Sequence, residues 1–158
     1  MDRKKFKRMF VTIALIGAFL MIGTGIKTAH AGDLYQSAYN AALSAYHQGL
    51  GEYYTSQAFY FGTSTLDDAY AYQDAARAYA YNAYVYATYS SVTGAYEASQ
   101  YAYNAWQYFL SSAESAYYAW YYSSAADAYL SMYYGGLGAY YIAIAEYYAG
   151  VYCYGGNY

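Results

Sequence analysis

The sequence predicts an all-α protein: an Ala/Tyr-rich bundle of three to five antiparallel helices with coiled-coil-like heptad seams, behind a cleaved signal peptide. Three observations lead there. Tyrosine and alanine recur at a spacing of seven, proline is absent from all 158 residues, and clusters of glycine and hydroxyl residues fall between the regular stretches. The clearest run is Asp68 to Tyr89. Within it Tyr72, Tyr79 and Tyr86 alternate in sevens with Ala69, Ala76 and Ala83, and no glycine interrupts. That is a large-and-small pattern of the knobs-into-holes kind.

Taken in order, residues 1–31 read as an export signal. Arg3, Lys4, Lys5, Lys7 and Arg8 precede an apolar run from Met9 to Ile26, and Ala29-His30-Ala31 offers the small residues that a signal peptidase accepts, so cleavage is expected after Ala31. An uncleaved anchor is the alternative, since a run of about 18 apolar residues sits at the lower limit for spanning a bilayer. Glycines 17, 23 and 25 inside the run favour removal.

The helical domain is expected over 32–150. In its first part Tyr39, Tyr46, Tyr53 and Tyr60 hold the spacing of seven from Leu34 to Phe61, with a bend allowed at Gly49-Leu50-Gly51. Gly62-Thr63-Ser64-Thr65 stops the helix, and Thr65 with Asp68 resembles a capping box. A second helix follows from Leu66 to about Ser91, in which Asp74 and Arg77 can pair at i,i+3. Ser90 to Gly94 is an open break, because Tyr89, Tyr96, Tyr103 and Tyr117 keep phase across it. Ser111 and Ser124 are candidate caps that would cut the third region. Gly135-Gly136-Leu137-Gly138 reads as a stronger break, with a last helix from Ala139 to Ala149 and a flexible Gly/Tyr tail over 151–158. Strands are the minority reading, since alanine disfavours them and runs this long without turns are unusual.

The expected packing is a tyrosine core seam with alanine holes. A magnitude limits it, however. At about 200 Å² each, the 31 tyrosines carry on the order of 6,000 Å² of side-chain surface. A monomer of roughly 14 kDa exposes only about 6,700 Å² in all. Tyr70, Tyr72, Tyr79, Tyr81, Tyr84, Tyr86 and Tyr89 go round the whole of the 68–89 helix. That stretch is therefore expected as a central helix whose remaining aromatic faces are closed by other copies of the chain.

The function expected is a secreted, non-enzymatic structural protein, extracellular or at the cell surface, that self-assembles into a filament, layer or matrix. Tyr72, Tyr79, Tyr81, Tyr84, Tyr86, Tyr89, Tyr117, Tyr118, Tyr121 and Tyr122 are the assembly-face candidates. With the leader removed the chain has no lysine, so cross-links would use tyrosine, and Cys153 is a candidate for an intermolecular disulfide. Two other classes stay open: an aromatic binding module for glycans or planar ligands, and a material that passes electrons between tyrosines.

Other chemistries are disfavoured. The mature chain would keep Arg77 alone against nine acids, a net charge of −8, which excludes nucleic acid as a partner. No membrane contact is expected after signal cleavage, because no second unbroken apolar run is long enough. His47 is the only histidine past the leader, with no neighbouring pattern for a catalytic triad. No zinc, calcium, haem or phosphate motif is present, so neither cofactor nor metal is expected.

Overall fold

The computed structural model describes residues 31–62 and 64–154. The signal-peptide reading and the end of the tail reading lie outside the described residues. Four helices account for the described chain: α1 (Ala31–Phe61), α2 (Leu66–Tyr89), α3 (Ala95–Tyr122) and α4 (Ala125–Tyr154). The all-helical class holds, and no strand occurs among the described residues. Each helix packs on its two neighbours in the order α1, α2, α3, α4 and back to α1, while the diagonal pairs barely touch. This ring leaves no central helix, so the expected central position of 68–89 is corrected: α2 is one of four equivalent walls.

Paired residues fix the register. Ser37 meets Ala83 and Ser44 meets Ala76 across α1 and α2, Tyr81 meets Trp106 and Tyr70 meets Tyr117 across α2 and α3, and Tyr108 meets Tyr141 and Tyr101 meets Tyr148 across α3 and α4. In every case the numbers rise on one helix as they fall on the other.

The core overturns the expected division of labour between the two residue types. Every helix buries one narrow stripe at alternating steps of three and four, and the stripe is made mostly of small side chains. On α2 it is Ala69, Gln73, Ala76, Ala80, Ala83 and Ala87. On α3 it runs through Ala95, Ala98, Ala102, Ala105, Phe109, Ser112, Ala116 and Ala119. On α4 it includes Ser131, Gly135, Gly138, Ile142, Ala145 and Ala149. The seven-residue spacing is therefore real, but alanine forms the seam and the tyrosines flank it. The physical reason is volume: small residues in all four seams bring the backbones too close to admit a phenol ring between them.

Hydrogen bonds record that closeness. The Ser37 and Ser44 hydroxyls donate to the backbone carbonyls of Ala83 and Ala76 at 2.8 and 2.7 Å. Across the opposite pair, the Ser112 hydroxyl donates to the Ser131 carbonyl at 2.8 Å. A two-atom side chain reaches a neighbouring helix backbone only when the helices nearly touch.

Breaks and caps follow from the same packing. Gly135 to Gly138 does not end a helix, contrary to the sequence expectation. α4 passes straight through, because Gly135 lies against the Gln48 amide and Gly138 against the Phe109 ring, each taking the place of a side chain. Gly49 to Gly51 likewise lies inside α1. Ser111 cuts nothing; its hydroxyl donates to the Gln107 carbonyl within α3. Ser124 does cap, accepting a hydrogen bond from the Asp127 amide at 3.2 Å. The open question at 90–94 resolves as a turn in which Gly94 adopts φ 85° with the Tyr152 ring packed against it. Thr65 does not close a capping box: its hydroxyl reaches back to the Tyr54 carbonyl at 3.0 Å. Arg77 and Asp74 pair as the spacing suggests, at 2.8 Å.

Two glycines two residues apart test this packing with opposite signs. Gly138→Ala drives a methyl into the Phe109 ring and is expected to destabilise by about 1–3 kcal/mol, with Phe109→Leu in the same chain restoring part of the loss. The nearest neighbour a methyl at Gly136 would meet is the Glu52 carboxylate oxygen at 3.8 Å. Gly136→Ala should therefore stabilise by up to about 1 kcal/mol through helix propensity. Urea denaturation measures both.

Candidate functional site

Excluded from the seams, the tyrosine and tryptophan side chains settle in the grooves between neighbouring helices and on the outer surface. In the α3–α4 groove they form a ladder. Tyr148 and Tyr101 stack with centroids 5.6 Å apart and planes 5° off parallel, Tyr101 and Tyr141 lie 6.3 Å apart, and Tyr141 and Tyr108 stack at 5.4 Å and 5°. The rungs come alternately from α4 and α3. This arrangement arises because Tyr101 and Tyr108, like Tyr141 and Tyr148, are seven apart, so each pair lies on one flank of its helix.

The α1–α2 groove repeats the pattern with one change. Tyr54 stacks on Tyr72 at 5.4 Å, Tyr72 on His47 at 5.9 Å, and His47 on Tyr79 at 5.1 Å. An imidazole therefore holds the place that a phenol holds in the other ladder. Burial lowers the His47 pKa from its ordinary value. The ring is thus neutral at pH 7 and packs as a flat apolar plate. The α2–α3 groove is different again, with Tyr81, Tyr84, Tyr103 and Trp106 in a closed cluster at tilted angles.

The residues singled out from the sequence divide among these places. Tyr72 and Tyr79 belong to the α1–α2 ladder, and Tyr81 and Tyr84 to the α2–α3 cluster. Tyr86 and Tyr89 stand exposed at the end of α2. Tyr117, Tyr118, Tyr121 and Tyr122 come together on the last turns of α3, where Tyr117 packs on Tyr121 at 5.9 Å and Tyr118 on Tyr122 at 6.1 Å. No single face gathers all ten. Cys153 lies in the backbone of the last turn of α4.

Sequence reasoning missed the polar residues of the seam. Gln48 and Gln73 are fully buried, pressed against Gly135 and Gly51 respectively; the Gln73 amide has no hydrogen-bonding partner among the described residues, and the Gln48 amide is approached only by the Glu52 carboxyl. Their signal was positional, since Gln73 is in phase with Ala80 and Ala87 and Gln48 with Leu34 and Ala41. Next to them, burial pushes the Glu52 carboxyl up to about 7, an effect the nearby Gln48 amide opposes in part. Glu146, on α4, is likewise pushed by burial up to about 7. Among the described residues no group of three or more His, Cys, Asp and Glu side chains is arranged to hold a metal ion. No described helix is long and apolar enough to cross a membrane. No protein-family model matches the chain, and no curated protein or solved structure shows significant similarity to it.

The two glutamates make stability depend on pH. Each has its pKa raised on folding, so its contribution is complete below the ordinary carboxyl range near pH 4.3 and is lost as pH rises through about 7. His47 acts in the opposite sense, because folding disfavours its charged form and stability is lost as pH falls below about 6.5. Two large carboxyl shifts outweigh one modest imidazole shift. Stability should fall by about 2–4 kcal/mol between pH 5 and pH 8 after allowance for partial exposure. Glu52→Gln should remove roughly half of that dependence in denaturant titrations at the two pH values.

Proposed function

We propose that the protein is a secreted, non-enzymatic structural unit, an antiparallel up-and-down bundle that self-assembles through its outward tyrosines into an extracellular filament, layer or matrix. One observation carries this reading: the small-residue core expels the rings. Among the described residues eighteen tyrosines stand exposed, with Tyr89, Tyr96 and Tyr122 each about two-thirds or more accessible. At half exposure these phenols present on the order of 1,800 Å² of aromatic surface. A typical monomer tolerates a patch of about 300–600 Å², and a standard interface uses about 800 Å² per partner. The surface is thus enough for contacts with two neighbours.

A dense group of exposed rings lies at one end of the bundle, where α1 finishes, α2 begins, α3 finishes and α4 begins, and where Phe59, Phe61 and Trp120 join the tyrosines. Tyr60 is 64% exposed, Tyr121 61%, Tyr122 67% and Tyr129 58% at this end. Tyrosine suits such an interface because each ring offers broad apolar area at low entropic cost together with a hydroxyl that tolerates trapped water. The net charge of −8 expected after leader removal opposes association, so assembly should strengthen as salt screens it.

Sedimentation of the protein as processed by its host tests the reading near micromolar concentration. Species larger than one chain are expected, increasing with ionic strength. The triple variant Tyr118→Ser/Tyr121→Ser/Tyr122→Ser should shift the transition at least about tenfold towards higher concentration with unchanged far-ultraviolet circular dichroism, a loss of about 1.4 kcal/mol. A monomer under all these conditions, with saturable binding to a glycan array, would instead favour the aromatic binding module.

A further inference from the structure

We propose that the α3–α4 ladder, Tyr148–Tyr101–Tyr141–Tyr108, is a relay for oxidising equivalents, able to carry an electron vacancy from near the end of the groove where α4 finishes to its middle. This holds for a single chain and does not depend on assembly. Along either helix alone the phenols are two turns apart, about 10.5 Å. The partner helix fills each gap, so successive centroids are separated by 5.6, 6.3 and 5.4 Å, with the two outer steps within 5° of parallel. All four rungs are half-buried in the groove. That limits direct attack on the rungs by bulk solutes.

The ladder also has side branches. Tyr147 packs edge-on against Tyr148 at 5.6 Å, and Tyr140 edge-on against Tyr141 at 5.3 Å. Both are more than 60% exposed. An oxidant in solution therefore meets Tyr140 or Tyr147 first, and the half-buried rungs connect those two entry points to each other and to Tyr108.

The substrate class is a one-electron oxidant, such as the activated haem of a peroxide-fed peroxidase. It takes one electron from a phenol, whose hydroxyl proton passes to solvent, leaving a phenoxyl radical. At each transfer that radical regains an electron and a proton as the next phenol loses both, so the whole passage still costs one electron and one proton. It ends when two phenoxyl radicals at exposed positions join through ring carbons. Formation of that dityrosine consumes two one-electron oxidants and releases two protons in all.

The α1–α2 ladder supplies an internal comparison. Its rungs alternate between two helices at similar spacings of 5.4, 5.9 and 5.1 Å, but His47 stands between Tyr72 and Tyr79, and a neutral imidazole is harder to oxidise than a phenol. That groove should therefore interrupt the passage.

The test attaches a ruthenium polypyridine photo-oxidant to Cys153, the single cysteine, five positions beyond Tyr148. The full chain is irradiated at high dilution with a sacrificial electron acceptor, radicals are captured by a spin trap, and adducts are located by peptide mass spectrometry. Adducts are expected at Tyr108 as well as at Tyr147 and Tyr148. Tyr101→Phe keeps the stacked ring but removes the oxidisable hydroxyl and leaves a gap of about 10 Å, so adducts at Tyr108 should fall about tenfold while those at Tyr147 persist. Tyr141→Phe should do the same, Tyr134→Phe should leave the distribution unchanged, and circular dichroism should match the parent in all three. No adduct at Tyr108 in the parent, or an equal amount in Tyr101→Phe, overturns the proposal.

Discussion

The structure depends on how closely its helices approach. Alanine, serine and glycine in the seams let backbones come near enough for a serine hydroxyl to reach the next helix's carbonyl, as Ser37, Ser44 and Ser112 do. Burying a methyl supplies only about 0.8 kcal/mol, far below the 1.5–3 kcal/mol of a leucine. The stabilisation a large-residue core would give must come instead from dense backbone contact, from these hydroxyl bonds and from the rings that seal each groove from outside. Phe109, Leu34 and Ile142 are the only large apolar side chains fully buried among the described residues. Phe109 fits because Gly138 faces it.

The arrangement of the tyrosines follows from the same closeness. A ring too wide for the seam can still lie along the groove, where it shields the seam from solvent and stacks on the rings before and after it. Grooves flanked by residues at intervals of seven on both helices produce alternating rungs, which is why two grooves carry ladders. The remaining phenols have nowhere to go but outward, and an aromatic surface of that extent is the physical link between the core and the proposed self-assembly. The buried Gln48 and Gln73 fit a specifying role, since a slip in register would move each amide off the glycine that makes room for it, Gly135 for Gln48 and Gly51 for Gln73.

Much of this was legible in the sequence. The all-helical class, the spacing of seven, the stop after Phe61, the Ser124 cap and the Asp74–Arg77 pair could all be read from residue order. The phase of the seam could not, because Ala69/76/83 and Tyr72/79/86 have the same period and apolar scales favour the larger residue. What decided between them was volume across all four helices, a property of the assembled bundle that no single stretch contains. Gly135 and Gly138 misled for a related reason. Propensity treats glycine as a breaker, whereas here the facing Gln48 and Phe109 occupy the missing side-chain space. The ladders were half visible, as pairs seven apart at Tyr101/Tyr108 and Tyr141/Tyr148, but their partners across the groove were not.

The most direct test of the central claim, that alanines fill the seams and tyrosines flank them, is the rate at which each tyrosine reacts in the dissociated protein at high dilution. Tetranitromethane nitration followed by peptide mapping gives that rate for every ring. Tyr89, Tyr96 and Tyr122, 67–74% exposed, should react first, with Tyr101, Tyr108 and Tyr141 well behind. Uniform protection of the Tyr72/Tyr79/Tyr86 heptad together with Tyr89 and Tyr96, as a tyrosine-filled core requires, would contradict it.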